Sequence, residues 1–207
     1  MRRDPARNVH PMSATTLLQP ARYQRTRWKN DGGWTTEIAR RDDGHADFLW
    51  RVSIAEIERD GAFSSFAGVD RDLLLLEGSG IELEIGDEPP RALTRRFEHA
   101  HFGGELPVHC RLLAGPTRDF NVMVRRDAML AEVAARPLVG SMLLFPDAGA
   151  AWLVYVHAGA LALRRDGSET TALAGETLMV EGEGGRITLE GAGEIVLVKF
   201  APRLRGV

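Results

Sequence analysis

Cysteine is nearly absent. Cys110 is the single thiol in 207 residues, which excludes an internal disulfide and a four-cysteine zinc site and fits a reducing cytosol. Long apolar runs are missing too. Leu73-Leu74-Leu75-Leu76 stops at Glu77-Gly78, far short of the roughly 18 residues of a membrane helix. There is no excess of one charge: 26 basic and 29 acidic residues leave a net charge of -3, so neither nucleic-acid binding nor an acidic disordered tail is indicated. The first eleven residues are basic and polar with no apolar segment, so they do not read as a secretory signal. Met12 is the expected true start, with a disordered extension over residues 1–14.

Several catalytic signatures are also lacking. No Gly-x-Ser-x-Gly elbow surrounds Ser64 or Ser65, and no Gly-x-x-x-x-Gly-Lys-Thr or strand–Gly-x-Gly-x-x-Gly–helix is present. His109 precedes Cys110, but neighbours on a strand point oppositely, so the thiol reads as a small buried hydrophobe. His99-Ala100-His101 has ligand-like spacing. It falls in residues 95–104, which read as a loop, and no further histidine stands near enough in the pattern to complete a site. His157, in an apolar run, reads as a hydrogen-bonded core residue.

What is present is β-rich. Short strands separated by Gly, Pro and Asp turns are expected over residues 34–40, 48–57, 72–77, 80–85, 108–114, 120–125, 141–145, 152–157, 161–164, 176–180, 186–189 and 194–201. Twenty-two glycines suit an all-β sandwich or barrel. Residues 128–135 read as one short helix, ended by Arg136-Pro137. Two segments, residues 73–83 and 153–163, both read strand, glycine turn, strand, and suggest two similar β-domains in tandem. The expected division is residues 15–130 and 131–207, the second half structural.

Two strands alternate. Trp50, Val52 and Ile54 share one face, with Arg51, Ser53 and Ala55 on the other. Phe120, Val122 and Val124 likewise oppose Asn121, Met123 and Arg125. The polar faces are either solvated or, in a curled sheet, line a ligand-binding mouth. Trp28-Lys29-Asn30-Asp31-Gly32-Gly33, with Glu37 following, mixes a cation, an amide and glycines between aromatics. That suits a loop approaching a ligand, or a plain solvated turn. The dispersed polar set Lys29, Asn30, Glu37, Arg51, Ser64, Arg71, Asp119, Asn121 and Arg125 holds more cations than carboxylates. If these groups converge, the ligand is a small anion. If they do not, they are surface ion pairs of little worth.

The chain resembles the HutD/Ves family, found beside histidine-utilisation genes. The matching segments are Trp28 to Gly33 with Thr36-Glu37-Ile38-Ala39, then Trp50 to Ala55, Asp60 to Arg71, Leu76-Glu77-Gly78, Phe102 to Glu105 and Gly115 to Met123. The resemblance implies an all-β bicupin: two tandem cupin-like (RmlC-like jelly-roll) β-barrels. It places Ser64-x-Phe66 at the paired-histidine positions of a cupin motif, Arg71 at the glutamate and Gly78 at the glycine, with Thr117 at the second-motif histidine. Metal ligands are thereby replaced, and Arg71 would repel a cation. The family usually carries a third glycine where this chain has Asp31. The resemblance implies a cytoplasmic protein with no metal or cofactor. It would bind a small anionic metabolite, such as urocanate, formiminoglutamate or formylglutamate, through Trp28, Lys29, Asn30, Glu37, Arg51, Ser64, Arg71, Asp119, Asn121 and Arg125. Neither nucleic acid nor membrane is expected as a partner, and a homodimer is allowed for. The alternatives are a metal-independent enzyme with Glu37 or Asp119 as general base, and a structural or partner-binding β-module.

Overall fold

The structure is a computed structural model and describes residues 14–44, 48–182 and 185–203. The expected N-terminal extension and the Met12 start therefore lie outside the described residues, apart from Ala14. In chain order the strands are β1 (Ala14–Leu18), β2 (Gln24–Arg27), β3 (Gly33–Asp42), β4 (Phe48–Ile57), β5 (Gly61–Ala62), β6 (Val69–Glu77), β7 (Ile81–Ile85) and β8 (Arg91–Leu93). They continue as β9 (His99–Gly103), β10 (Val108–Leu112), β11 (Thr117–Arg125), β12 (Met129–Leu144), β13 (Ala151–Arg165), β14 (Ser168–Leu173), β15 (Thr177–Glu181) and β16 (Ile187–Pro202). A 3-10 turn at Pro20–Arg22 is the one helical element among the described residues.

Three antiparallel sheets result. The first runs β2-β3-β4-β11-β6-β9, the second β5-β10-β7-β8, and the third β1-β15-β13-β16-β12 with β14 on β13. The sheets are open paths rather than closed hydrogen-bonded cylinders, and they make cupin-like jelly rolls. The first and second face each other over Ile57, Leu73, Leu75, Ile81, Leu83 and Cys110. The long strands of the third enclose Val154, Leu161, Leu178, Leu189 and Ile195. β1 pairs with β15, so the first described strand sits in the third sheet.

The largest core lies between the first and third sheets. Trp50, Val52 and Ile54 of β4 and Phe120, Val122 and Val124 of β11 meet Leu153, Tyr155, Val198 and Phe200. Trp50 stacks on Phe200 with centroids 4.4 Å apart and planes 12° off parallel. Full burial of each large apolar side chain stabilises by ~1.5–3 kcal/mol, so this core does not depend on any single polar contact. The third sheet covers one face of the first and the second sheet stands against the other, so the alternate face looks inward, into the N-terminal jelly roll. The polar stripe of β4 and β11 is therefore not a solvent face.

Four sequence expectations are corrected. Residues 128–135 are not a helix but the start of β12: Ala131, Val133 and Ala135 pack on the core while Leu130, Glu132 and Ala134 are exposed, a period of two enforced by pairing with β16. Residues 95–104 are not all loop, since β9 pairs with β6. The repeated hairpin is not a hairpin. Its first copy is a corner from β6 in one sheet to β7 in another, and its second lies within the single bent strand β13. A bulge between Val156 and Ala158 makes that bend, and Gly159 follows at φ 81, with room for no side chain, as a Cβ there would lie 2.1 Å from the Ala192 carbonyl oxygen. Lastly, residues 186–189 and 194–201 form one strand, β16.

Candidate functional site

A cavity of about 590 Å³ opens on the inner face of the first sheet. Two connections supply its walls and three strands its floor. The hairpin connecting β2 and β3 contributes Arg27, Trp28, Lys29 and Asn30, and the β5–β6 connection contributes Phe63, Ser64 and Phe66. The floor comes from Arg51, Ser53 and Ala55 of β4, Arg71 of β6, and Asp119, Asn121 and Met123 of β11. The inward stripes noted on β4 and β11 thus meet in one place, as neighbours in register: Asn121 opposite Ser53, and Met123 opposite Arg51.

The hairpin is pinned locally. Asn30 Oδ1 accepts from the Gly32 amide at 3.1 Å, the Asp31 amide donates to the Trp28 carbonyl at 3.1 Å, and Trp28 Nε1 donates to Thr35 Oγ1 at 2.8 Å. The Trp28 ring meets Phe63 edge-on at 6.4 Å. Gly33 follows because a Cβ there would lie 2.2 Å from the Glu56 carbonyl oxygen. Asp31 adopts φ 55, the left-handed region that Asp tolerates better than most residues. Its side chain, 71% exposed, pairs with Arg27 and does not reach the cavity lining.

At the deep end lies a buried relay. Arg71 is 6% exposed and Asp119 is 0% exposed. Arg71 Nη2 donates to Asn121 Oδ1 at 3.0 Å, and Asn121 Nδ2 donates to Asp119 Oδ1 at 2.6 Å. Arg71 Nε and Asp119 Oδ2 have no hydrogen-bond partner among the described residues. The guanidinium sits among Phe63, Phe102 and Phe66, with centroids at 5.2, 5.2 and 5.8 Å. Burial pulls Arg71 down to about 10, against the attraction of Asp119. Burial pushes the Asp119 carboxyl up to about 7, against its bond from Asn121 and the nearby Arg71.

Of the ten residues expected at the site, eight line this cavity: Trp28, Lys29, Asn30, Arg51, Ser64, Arg71, Asp119 and Asn121. Glu37 stands behind it, accepting from Arg51 Nε at 2.6 Å, and so fixes that arginine. Arg125 shares the alternation of Asn121 but lies at the far end of β11, where it pairs with Asp43 at 3.0 Å. Sequence reasoning named Phe66 and Met123 without placing them among the site residues, and did not single out Arg27 or Phe63. The periodicity of β11 carries the signal for Met123, and adjacency to Trp28 and Ser64 carries it for the others.

The remaining polar groups lie elsewhere. His99 Nε2 and His101 Nδ1 share Asp72 Oδ1 at 2.7 and 2.9 Å. Among the described residues no group of three or more His, Cys, Asp or Glu is arranged to hold a metal ion. His157 is a half-buried ring packed edge-on to Phe97 at 5.5 Å, with no hydrogen bond to the ring among the described residues, where the sequence predicts a hydrogen-bonded core residue. Cys110 is buried, its thiol pushed up to about 12 by desolvation. No helix of the described residues is long and apolar enough to cross a membrane.

Comparison with known proteins adds lineage. The family described as HutD matches residues 20–197. A curated relative from Pseudomonas putida, an uncharacterised 21.2 kDa protein in the hutC 3′ region, is 45% identical over 113 residues, which is 54% of this chain and 59% of that protein. The chain therefore spans somewhat over half the length of that relative. The solved structure of HutD from Pseudomonas fluorescens SBW25 superposes with a TM-score of 0.79 at 32% identity, covering 92% of this chain and 100% of that one. A conserved protein of unknown function from Pseudomonas aeruginosa PAO1 gives 0.81 at 31% identity, covering 93% and 100%. A cupin barrel protein from Leptotrichia buccalis, at 10% identity and a TM-score of 0.55, covering 82% and 88%, shares the fold alone.

Proposed function

The chain belongs to the HutD family, associated with the histidine-utilisation locus, and from that premise we propose that it binds a small anionic metabolite of histidine degradation in the N-terminal cavity. The carrying observation is the charge of the lining. Lys29, Arg51 and Arg71 bring positive charge to it, Arg27 lines it with its guanidinium paired to Glu58 and Asp31, and Asp119 is the single carboxylate among the lining residues. Its size falls within the range of small-molecule sites. Arg71, buried and with donors left over, is the anchor for a ligand carboxylate. Trp28, Phe63 and Phe66 supply flat apolar walls for the body of the ligand. Asn30, Ser64 and Asn121 supply the amide and hydroxyl groups that read an amide or imidazole edge. Lys29, exposed at the mouth and without an ion partner among the described residues, takes a second negative charge.

The candidates are urocanate, formiminoglutamate and formylglutamate, and the role is sensing or modulation of the pathway. Of the two candidate general bases, Asp119 lines the cavity, fully buried beside Arg71. Glu37, the other, is held by Arg51 behind the lining. Calorimetric titration of the three compounds tests the reading. Saturable binding of at least one is expected. No heat from any of them contradicts it.

A further inference from the structure

Asp119 is placed badly for a permanent negative charge. It projects from β11 with Ala55 of β4 on one side and Leu75 of β6 on the other, and it is 0% exposed. One hydrogen bond, from Asn121, reaches Oδ1, and none among the described residues reaches Oδ2. The facing charged and titratable groups are few. Arg71 on β6 is the adjacent cation, and it directs Nη2 to Asn121 rather than to Asp119. Arg51 on β4 is turned to Glu37. Cys110 on β10 is a neutral thiol, with Asp60 beyond it. Before any anion binds, Arg71 and Asp119 balance one another through Asn121. A ligand carboxylate on Arg71 would put two negative charges on one buried cation, in apolar surroundings that screen poorly.

We propose that Asp119 sets the ionic class of ligand the pocket accepts: an anion anchored at Arg71 enters together with one proton, which settles on Asp119. This rests on the anion-binding reading above. The proton comes from solvent and forms an O–H bond on the Asp119 carboxylate. The ligand stays ionised, and no other bond changes. The ligand-free protein holds Asp119 near half-protonation at about pH 7, so the linkage has a definite sign. Below that pH the proton is already present and affinity is flat. Above it, affinity falls about tenfold per pH unit, because each binding event must collect a proton. No histidine is among the described lining residues to mimic this behaviour.

The test is titration calorimetry with N-formyl-L-glutamate, whose carboxylates stay ionised across the range, at about pH 8.5 and 5.5 in paired buffers of unlike ionisation enthalpy. Wild type is expected to take up close to one proton at the higher pH and almost none at the lower. Asp119→Asn, a neutral isostere, is expected to bind without proton uptake and roughly 30-fold tighter than wild type at the higher pH. Wild-type binding at the higher pH with no proton uptake overturns the proposal and leaves the anion site standing. So does an Asp119→Asn protein that keeps the wild-type pH slope. Absence of binding at both pH values by N-formyl-L-glutamate, formiminoglutamate and urocanate alike overturns the anion-binding reading itself. The wild-type buffer comparison decides the matter even if the variant fails to fold.

Discussion

Arg71→Gln should separate binding from folding. The guanidinium donates to Asn121 at 3.0 Å and sits 5.2–5.8 Å from three ring centroids. Those ring contacts contribute on the order of 1–2 kcal/mol. Against them stands desolvation. Burial pulls the arginine from 12.5 to about 10, a depression worth roughly 3 kcal/mol of unfavourable burial. Glutamine is neutral and can keep a bond to Asn121. Asp119, already raised to about 7, protonates when the cation leaves, so no stranded charge remains near pH 6. The two effects oppose each other, and folding stability near pH 6 should change by no more than about 1–2 kcal/mol. Binding should not be spared. Removing a buried anchor for a ligand carboxylate costs about 2–4 kcal/mol, or roughly 30- to 1,000-fold in Kd. Urea melts and calorimetric titration of the same sample read both quantities. Unchanged affinity, or a stability loss well above about 3 kcal/mol with affinity intact in the folded fraction, would show Arg71 to be structural and refute the reasoning.

Three further outcomes rest on local geometry. Gly33→Ala forces a Cβ to within 2.2 Å of the Glu56 carbonyl oxygen and should cost about 2–4 kcal/mol in urea melts; a loss under about 0.5 kcal/mol would mean β3 and β4 are not so close. Asp31→Gly relieves φ 55 and gives up only an exposed pair with Arg27, so the melting temperature should rise by an amount equivalent to about 0.5–1 kcal/mol, and a fall contradicts the backbone assignment. Cys110, buried with its thiol raised to about 12, should resist an aromatic disulfide reagent at about pH 8 until the protein unfolds; rapid labelling of the native protein would disprove that burial.

The site was more legible in the sequence than the topology. Alternation in Trp50 to Ala55 and Phe120 to Arg125 separates core from cavity residues correctly, because a strand's period of two survives any arrangement of the sheet. What alternation could not say is which face is wet. Two sheets decide that: the third covers Trp50, Val52 and Phe120, and the second stands against the opposite side. Residues 128–135 misled because alanine favours helices locally, and only the distant β16 turns that run into a strand. The glycine in residues 153–163 looked like a hairpin turn, but a turn and a bent strand both need a left-handed residue, so local sequence does not separate them. Arg125 shows the same limit within the site: its parity is right, but its position along β11 carries it past the cavity to Asp43.

Crystals of the protein soaked in turn with N-formyl-L-glutamate, formiminoglutamate and urocanate put the anion site to its sharpest test. At least one of them is expected inside the N-terminal cavity, with a carboxylate within hydrogen-bond distance of the Arg71 guanidinium and its body against Trp28 and Phe63. All three bound elsewhere, or a cavity holding only water at saturating concentration of each, would contradict the anion-site assignment.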